Sequence, residues 1–124
     1  MEGVVVPTVS STSTLTNKRI TKRVETVASS ATPASNTDSY DITKITSLAT
    51  NITSLTSGLT GTPSDGDLHV WSFTDNGTAR TITPGASFEN STVSFPSTTV
   101  ISTRMDVLCI WNSATSKWRV LAVA

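Results

Sequence analysis

Asp67-Leu-His-Val-Trp-Ser-Phe-Thr-Asp75, followed at once by Asn76-Gly77, is the stretch on which the reading of the fold depends. Side chains of an extended chain alternate, so Leu68, Val70 and Ser72 share one face and His69, Trp71 and Phe73 the other. Both faces carry apolar groups, which fits a strand buried on one side and covered on the other. Asn-Gly is the strongest short hairpin signal, because both residues tolerate the positive φ of a tight turn. A return strand over Thr78–Thr83 is therefore expected, stopped by Pro84-Gly85.

Toward the C-terminus a second hairpin is legible. Met105, Val107, Cys109 and Trp111 alternate with Asp106, Leu108, Ile110 and Asn112. The polar cluster 112–116 reads as a turn. Trp118, Val120 and Ala122 then alternate with Arg119, Leu121 and Val123, so the last strand runs into the chain end. These periodicities predict an all-β fold, a small antiparallel β-sandwich of jelly-roll type over residues 20–124, with an extended arm before it.

The N-terminal half is less regular. Ile45, Leu48, Ile52, Leu55 and Leu59 fall at spacings of 3 and 4, the heptad pattern of an amphipathic helix or trimeric coiled coil. Thr, Ser and Asn fill the positions between them, and each is a poor residue for a helix interior. Two short strands, Ser39–Thr46 and Asn51–Thr56, fit that composition better. Another strand is expected around Ile20–Val27, and a loop with Pro33 follows it.

Residues 1–19 are expected to form a flexible anchoring arm, small, polar and aperiodic, without fixed structure until a partner is met. Val4, Val5, Val6 and Val9 would supply apolar or added-strand contacts. Lys18, Arg19, Lys22 and Arg23 form a basic run with no acid among them. It reads either as a solvated linker or as a latch to an acidic surface or nucleic acid, and the latch is preferred.

Composition narrows the class. The chain has 124 residues, enough for one domain, and roughly a third are Ser or Thr. Nine basic residues balance nine acidic ones, which argues against a nucleic-acid or membrane-surface footprint for the folded part. The single cysteine, Cys109, excludes an internal disulfide and reads as a buried small hydrophobe. Val4-Val5-Val6 is too short an apolar run for a signal peptide or membrane span.

No residue pattern points to catalysis. His69 is the only histidine, and one histidine with one thiol cannot close a zinc shell, so a structural role follows. Asp65-Gly66-Asp67 lacks the further ligands of a calcium loop and reads as a turn. Neither a phosphate loop nor a Gly-x-Ser-x-Gly elbow occurs. No cofactor or metal is expected. The three Asn-x-Thr matches at Asn51, Asn76 and Asn90 carry no weight without a secretory signal. Trp71, Trp111 and Trp118 read as core, because a small domain needs its largest apolar groups inside.

Four segments carry a resemblance: Thr14-Leu-Thr-Asn-Lys-Arg-Ile-Thr-Lys-Arg-Val24, Gly61-Thr-Pro-Ser-Asp-Gly66, Asp75-Asn-Gly-Thr-Ala-Arg-Thr-Ile-Thr83 and Lys117-Trp-Arg-Val-Leu-Ala122. In order and spacing they resemble a module of tailed-bacteriophage structural proteins: tail fibres, head fibres and capsid decoration proteins. The resemblance implies a small β-sandwich, usually a homotrimer, with no catalytic residues. In long fibres the module follows a shaft, whereas here a Met-initiated arm of about twenty residues precedes it. The expectation is a non-enzymatic capsid decoration (cement) or head-fibre protein, made in the host bacterial cytoplasm and localised to the virion. It would bind the major capsid protein or another virion structural protein. The alternative is a tail-fibre or tail-spike component contacting host-surface glycans, and a depolymerase ranks third. The two-sided apolar strands Leu68–Phe73 and Met105–Trp111 carry more apolar surface than one thin sandwich buries. Trp71, Phe73 and Trp111 are accordingly expected at the subunit interface.

Overall fold

A computed structural model describes residues 10, 12, 14 and 16–124. The strands are β1 (Val24–Thr26), β2 (Ser35–Asn36), β3 (Ile42–Leu48), β4 (Leu59–Thr60), β5 (Leu68–Asp75), β6 (Phe88–Glu89), β7 (Met105–Asn112) and β8 (Lys117–Val123). A single 3₁₀ turn, Thr56–Gly58, is the helical part among the described residues. The main sheet has the order β1-β3-β5-β7-β8-β6, and β2 and β4 form a second, two-stranded sheet.

The all-β class holds, but the antiparallel jelly-roll sandwich does not. The sheet is mixed, and of the six strand pairings four are parallel: β1 with β3, β3 with β5, β2 with β4, and β6 with β8. The first part of the chain winds as a coil. Val24 lies beside Ile42 and Ile42 beside Val70, so successive turns take 18 and then 28 residues (24 to 42, 42 to 70). Corners stack as well as strands. The Thr53 amide donates to the Ala31 carbonyl at 2.8 Å, the Leu55 amide to Pro84 at 3.0 Å, and Ile52 exchanges bonds with Thr81 and Thr83 at 2.9 Å each. Parallel neighbours require such long crossovers, and here loops and short strands supply them in place of helices.

The coil explains two features that the periodicity misassigned. Asp75-Asn76-Gly77 does turn the chain, with Gly77 at φ 98°, but no hairpin follows. Residues 78–83 move away to form the next corner, with Ile82 bridged to Ile52 and Thr81 to Thr98. The edge of β5 is taken instead by β7, whose alternating apolar residues pair from Phe73↔Met105 to Leu68↔Ile110. Residues 78–83 offer only Ile82 as a large apolar group, so they cannot compete for that edge. Asp75 locks the alternative route. Its carboxylate accepts from the Gly77 amide (3.0 Å), the Ser102 amide (2.8 Å) and the Thr99 hydroxyl (2.6 Å).

The heptad-like residues are coil corners. Ile45 and Leu48 both point inward because the register of β3 against β5 shifts between them, and Ile52 and Leu55 follow around the bend. All four are at most 1% exposed. The antiparallel hairpin expected at 112–116 is present, joining β7 to β8 with Asn112 opposite Lys117.

The core lies on the inward face of the main sheet. It unites Ile45, Leu48, Ile52, Leu55, Trp71, Phe73, Val107, Cys109, Trp118 and Val120 with Phe88 and Phe95 from the last crossover. Stacked turns approach closely at Gly58, where a Cβ would run into the Pro33 carbonyl and the Ala34 backbone. Backbone cannot step aside as a flexible side chain can. Gly58→Ala is therefore expected to destabilise the fold by about 1–3 kcal/mol, the usual range for overpacking, read as a lower urea midpoint with the slope unchanged.

Candidate interaction surface

Inward and outward faces of the main sheet differ in what covers them. The inward face meets the crossovers and the small sheet. The outward face carries a row of apolar side chains in register across five strands, Val24↔Ile42↔Val70↔Leu108↔Ala122, with Leu68 opposite Ile110 one row away. Val24 is 49% and Leu68 54% exposed, while Ile42, Val70, Leu108 and Ile110 are half-buried by one another. In β8 the bulge at Leu121 keeps Ala122 on this face while Val120 stays in the core. Parallel sheets are ordinarily covered on both faces, and antiparallel ones can leave one face to water. Among the described residues no second sheet or helix covers this one.

A groove of about 600 Å³ opens beside this band, lined by Ile42, Leu68, Val70 and Leu108 together with Lys22, Arg23, Asp38, Asp41 and Asp67. The basic run therefore meets the apolar band where β1 begins. Lys22 is exposed there, and Lys18 and Arg19, earlier in the chain, are exposed as well. Arg23 is not free to act as a latch to another molecule. Its guanidinium reaches Asp41 at 2.9 Å and donates to the Asp38 carbonyl at 2.7 Å, and its own amide donates to Asp41 at 2.8 Å. Those bonds hold the Asp41 carboxyl down to about 2 and fix the direction in which the chain enters β1. Val4, Val5, Val6 and Val9 lie outside the described residues.

Of the three residues expected between subunits, two are spent inside the chain. Trp71 is 1% exposed and Phe73 fully buried, stacked on each other at 6.1 Å with nearly parallel rings. Trp111 is half-buried and meets Trp118 edge-on at 5.4 Å. That pair borders a cleft of about 140 Å³ with Leu59 and Pro63. The residues missed by sequence reasoning are the outward ones, Ile42, Lys44, Asp106 and Leu108. Alternation already placed them opposite the core residues, but their adjacency depends on the strand order β3-β5-β7.

His69 belongs to a buried polar inlay. Its Nε2 lies 2.9 Å from the Thr43 hydroxyl, which contacts Ser35 at 2.6 Å and donates to Glu25 at 2.9 Å. With that donation Thr43 accepts from Ser35 and from His69, which makes the histidine a neutral Nε2–H tautomer. Nδ1 has no hydrogen-bond partner. Burial pushes the imidazole pKa down to about 4, with the Tyr40 backbone and Asp41 pulling weakly the other way. A serine, a histidine and a carboxylate lie near one another, yet Ser35 bonds Thr43 rather than His69, and all three inlay side chains Ser35, Thr43 and His69 are at most 3% exposed. The arrangement ties three turns of the coil together and offers no accessible nucleophile. Cys109 is equally closed off, its thiol pushed up to about 12 by burial.

Comparison with known proteins finds no matching family model, curated protein or solved structure.

Proposed function

We propose that this chain is a bacteriophage virion structural component, a capsid decoration or head-fibre protein that adds to the shell as a homotrimer. The observation that carries the reading is the apolar band left uncovered across β1, β3, β5, β7 and β8. A contiguous apolar surface of that kind marks a contact with another protein. The four segments that resemble phage structural modules supply the biological setting and the number three. In this reading residues 1–19 reach the major capsid protein or another virion protein, with Lys18, Arg19 and Lys22 meeting acidic groups at the root of the arm.

The test compares full-length protein with a version lacking residues 1–19 in rebinding to virions stripped of the protein. The expected result is loss of binding by the shortened chain with its circular dichroism unchanged. Equal binding by both versions refutes the anchoring role. The cleft beside Trp111 favours a second reading, a tail-fibre or tail-spike component contacting host glycans, since the half-buried Trp111 presents the amphipathic kind of ring that lines contact sites. Under that reading the same deletion leaves glycan binding intact.

A further inference from the structure

We propose that copies of this chain meet on the outward face of the main sheet, the β1–β3 flank of one against the β7–β8 flank of the next, closing a ring of three. The inference rests on the assembly reading above and assigns its contact surface. A second copy suits this face because the face is complementary to itself. Next to the apolar row runs a second register row, Thr26↔Lys44↔Ser72↔Asp106. Lys44 and Asp106 thus stand one strand to either side of β5, at the same height and on the same face. Strands lie about 4.8 Å apart, so a basic flank and an acidic flank border one apolar band.

Neither charge is used up within the chain. Lys44 has no ion-pair or side-chain hydrogen-bond partner among the described residues, and Asp106 is engaged through Oδ1 alone by Arg104 at 2.9 Å. That pair is exposed and leaves Oδ2 open. When three such sheets surround an axis that runs along the strands, each β3 flank approaches the β7 flank of its neighbour. Lys44 then faces Asp106 of the next copy three times around the ring, and Val24, Ile42, Val70 and Leu108 close the interior. Contacts of this head-to-tail kind form rings when the rotation closes. A partner carrying one sign of charge would satisfy only one flank.

The test is the solution mass of the purified full-length chain by light scattering at micromolar concentration. Four variants are compared with wild type: Lys44→Glu, Asp106→Lys, the double swap, and Val70→Asp at the centre of the band. Wild type is expected to run as a trimer. Each single charge reversal sets like charges opposite one another and should lose the trimer peak, the double swap should regain it, and Val70→Asp should abolish it. Thermal melts of each variant show whether the monomer still folds. A folded Lys44→Glu or Asp106→Lys that remains trimeric overturns the proposal, as does wild type that is monomeric or dimeric, or a double swap that stays dissociated. Rebinding to stripped virions is a separate measurement, so a monomer that still docks through its arm would sink this contact and spare the virion reading.

Discussion

Trp71→Ala is expected to cost about 3–5 kcal/mol of folding stability, the range for removing a buried aromatic side chain. Native domains hold only about 5–15 kcal/mol in all, so the variant loses a large share of its stability. The size follows from position. Trp71 lies on the inward face of β5, the strand joining the parallel coil on one side to the β7–β8 hairpin on the other. Its ring stacks on Phe73, meets His69 edge-on at 5.5 Å and Phe88 at 6.2 Å. Truncation would open a cavity between β5 and β6. Urea unfolding followed by circular dichroism reads the effect as a lower midpoint with an unchanged slope. The same measurement tests the earlier assignment of Trp71 to a subunit contact, since a residue of that kind gives a folded monomer when truncated. Leu68→Ala, on the exposed face of the same strand, is expected to change monomer stability by no more than about 0.5 kcal/mol.

Single strands were legible in this sequence, and their partners were not. Alternation located β5, β7 and β8 within a residue or so and put Trp71, Phe73 and Cys109 together on the buried side. Composition, with Thr and Ser filling the gaps, turned the heptad spacing of Ile45–Leu59 away from helix. Of the two strands expected in its place only the first forms, as β3, and Asn51–Thr56 keeps just the Ile52 bridge. What alternation does not encode is which edge a strand joins. An Asn-Gly turn is compatible with a hairpin, but the decision lies with the better partner for β5, and that partner arrives about thirty residues later. Coil corners add a second ambiguity. A chain that bends between Leu48 and Ile52 spaces its inward residues like a helix, although each is reached by a change of direction. The candidate surface was hidden for the same reason. Lys44 and Asp106 are 62 positions apart (106 − 44), and only parallel pairing on one side of β5 and antiparallel pairing on the other aligns them.

Acidification is expected to weaken the fold well before its carboxylates titrate, through His69. In the unfolded chain this imidazole takes a proton near pH 6.5, whereas in the fold burial holds it neutral down to about 4. Between those values the unfolded state binds the extra proton, so stability is fully present above pH 6.5 and falls as the pH is lowered toward 4. A separation of that size is worth about 3 kcal/mol. The charged groups around the ring do not reverse the sign. Glu25 is reached only through the Thr43 hydroxyl, and Asp41 is already committed to Arg23. Protonation would place a second N–H at Nδ1, which has no hydrogen-bond partner in the fold, beside Trp71 and Trp118. The pull of the Tyr40 backbone does not offset the burial. Asp41, Asp65, Asp75 and Glu89 also have lowered values. Their stabilisation is lost only as the pH falls below the ordinary carboxylate range, so the histidine acts alone above about pH 5. Urea unfolding of wild type and His69→Gln at half-unit steps from pH 7.5 to 5 separates the effects. Wild type should lose stability steadily below pH 6.5. The glutamine variant should begin less stable at pH 7.5 and stay nearly level to pH 5, because it has no group left to titrate in that window. Parallel declines in the two proteins would show that the buried imidazole is not the group responsible.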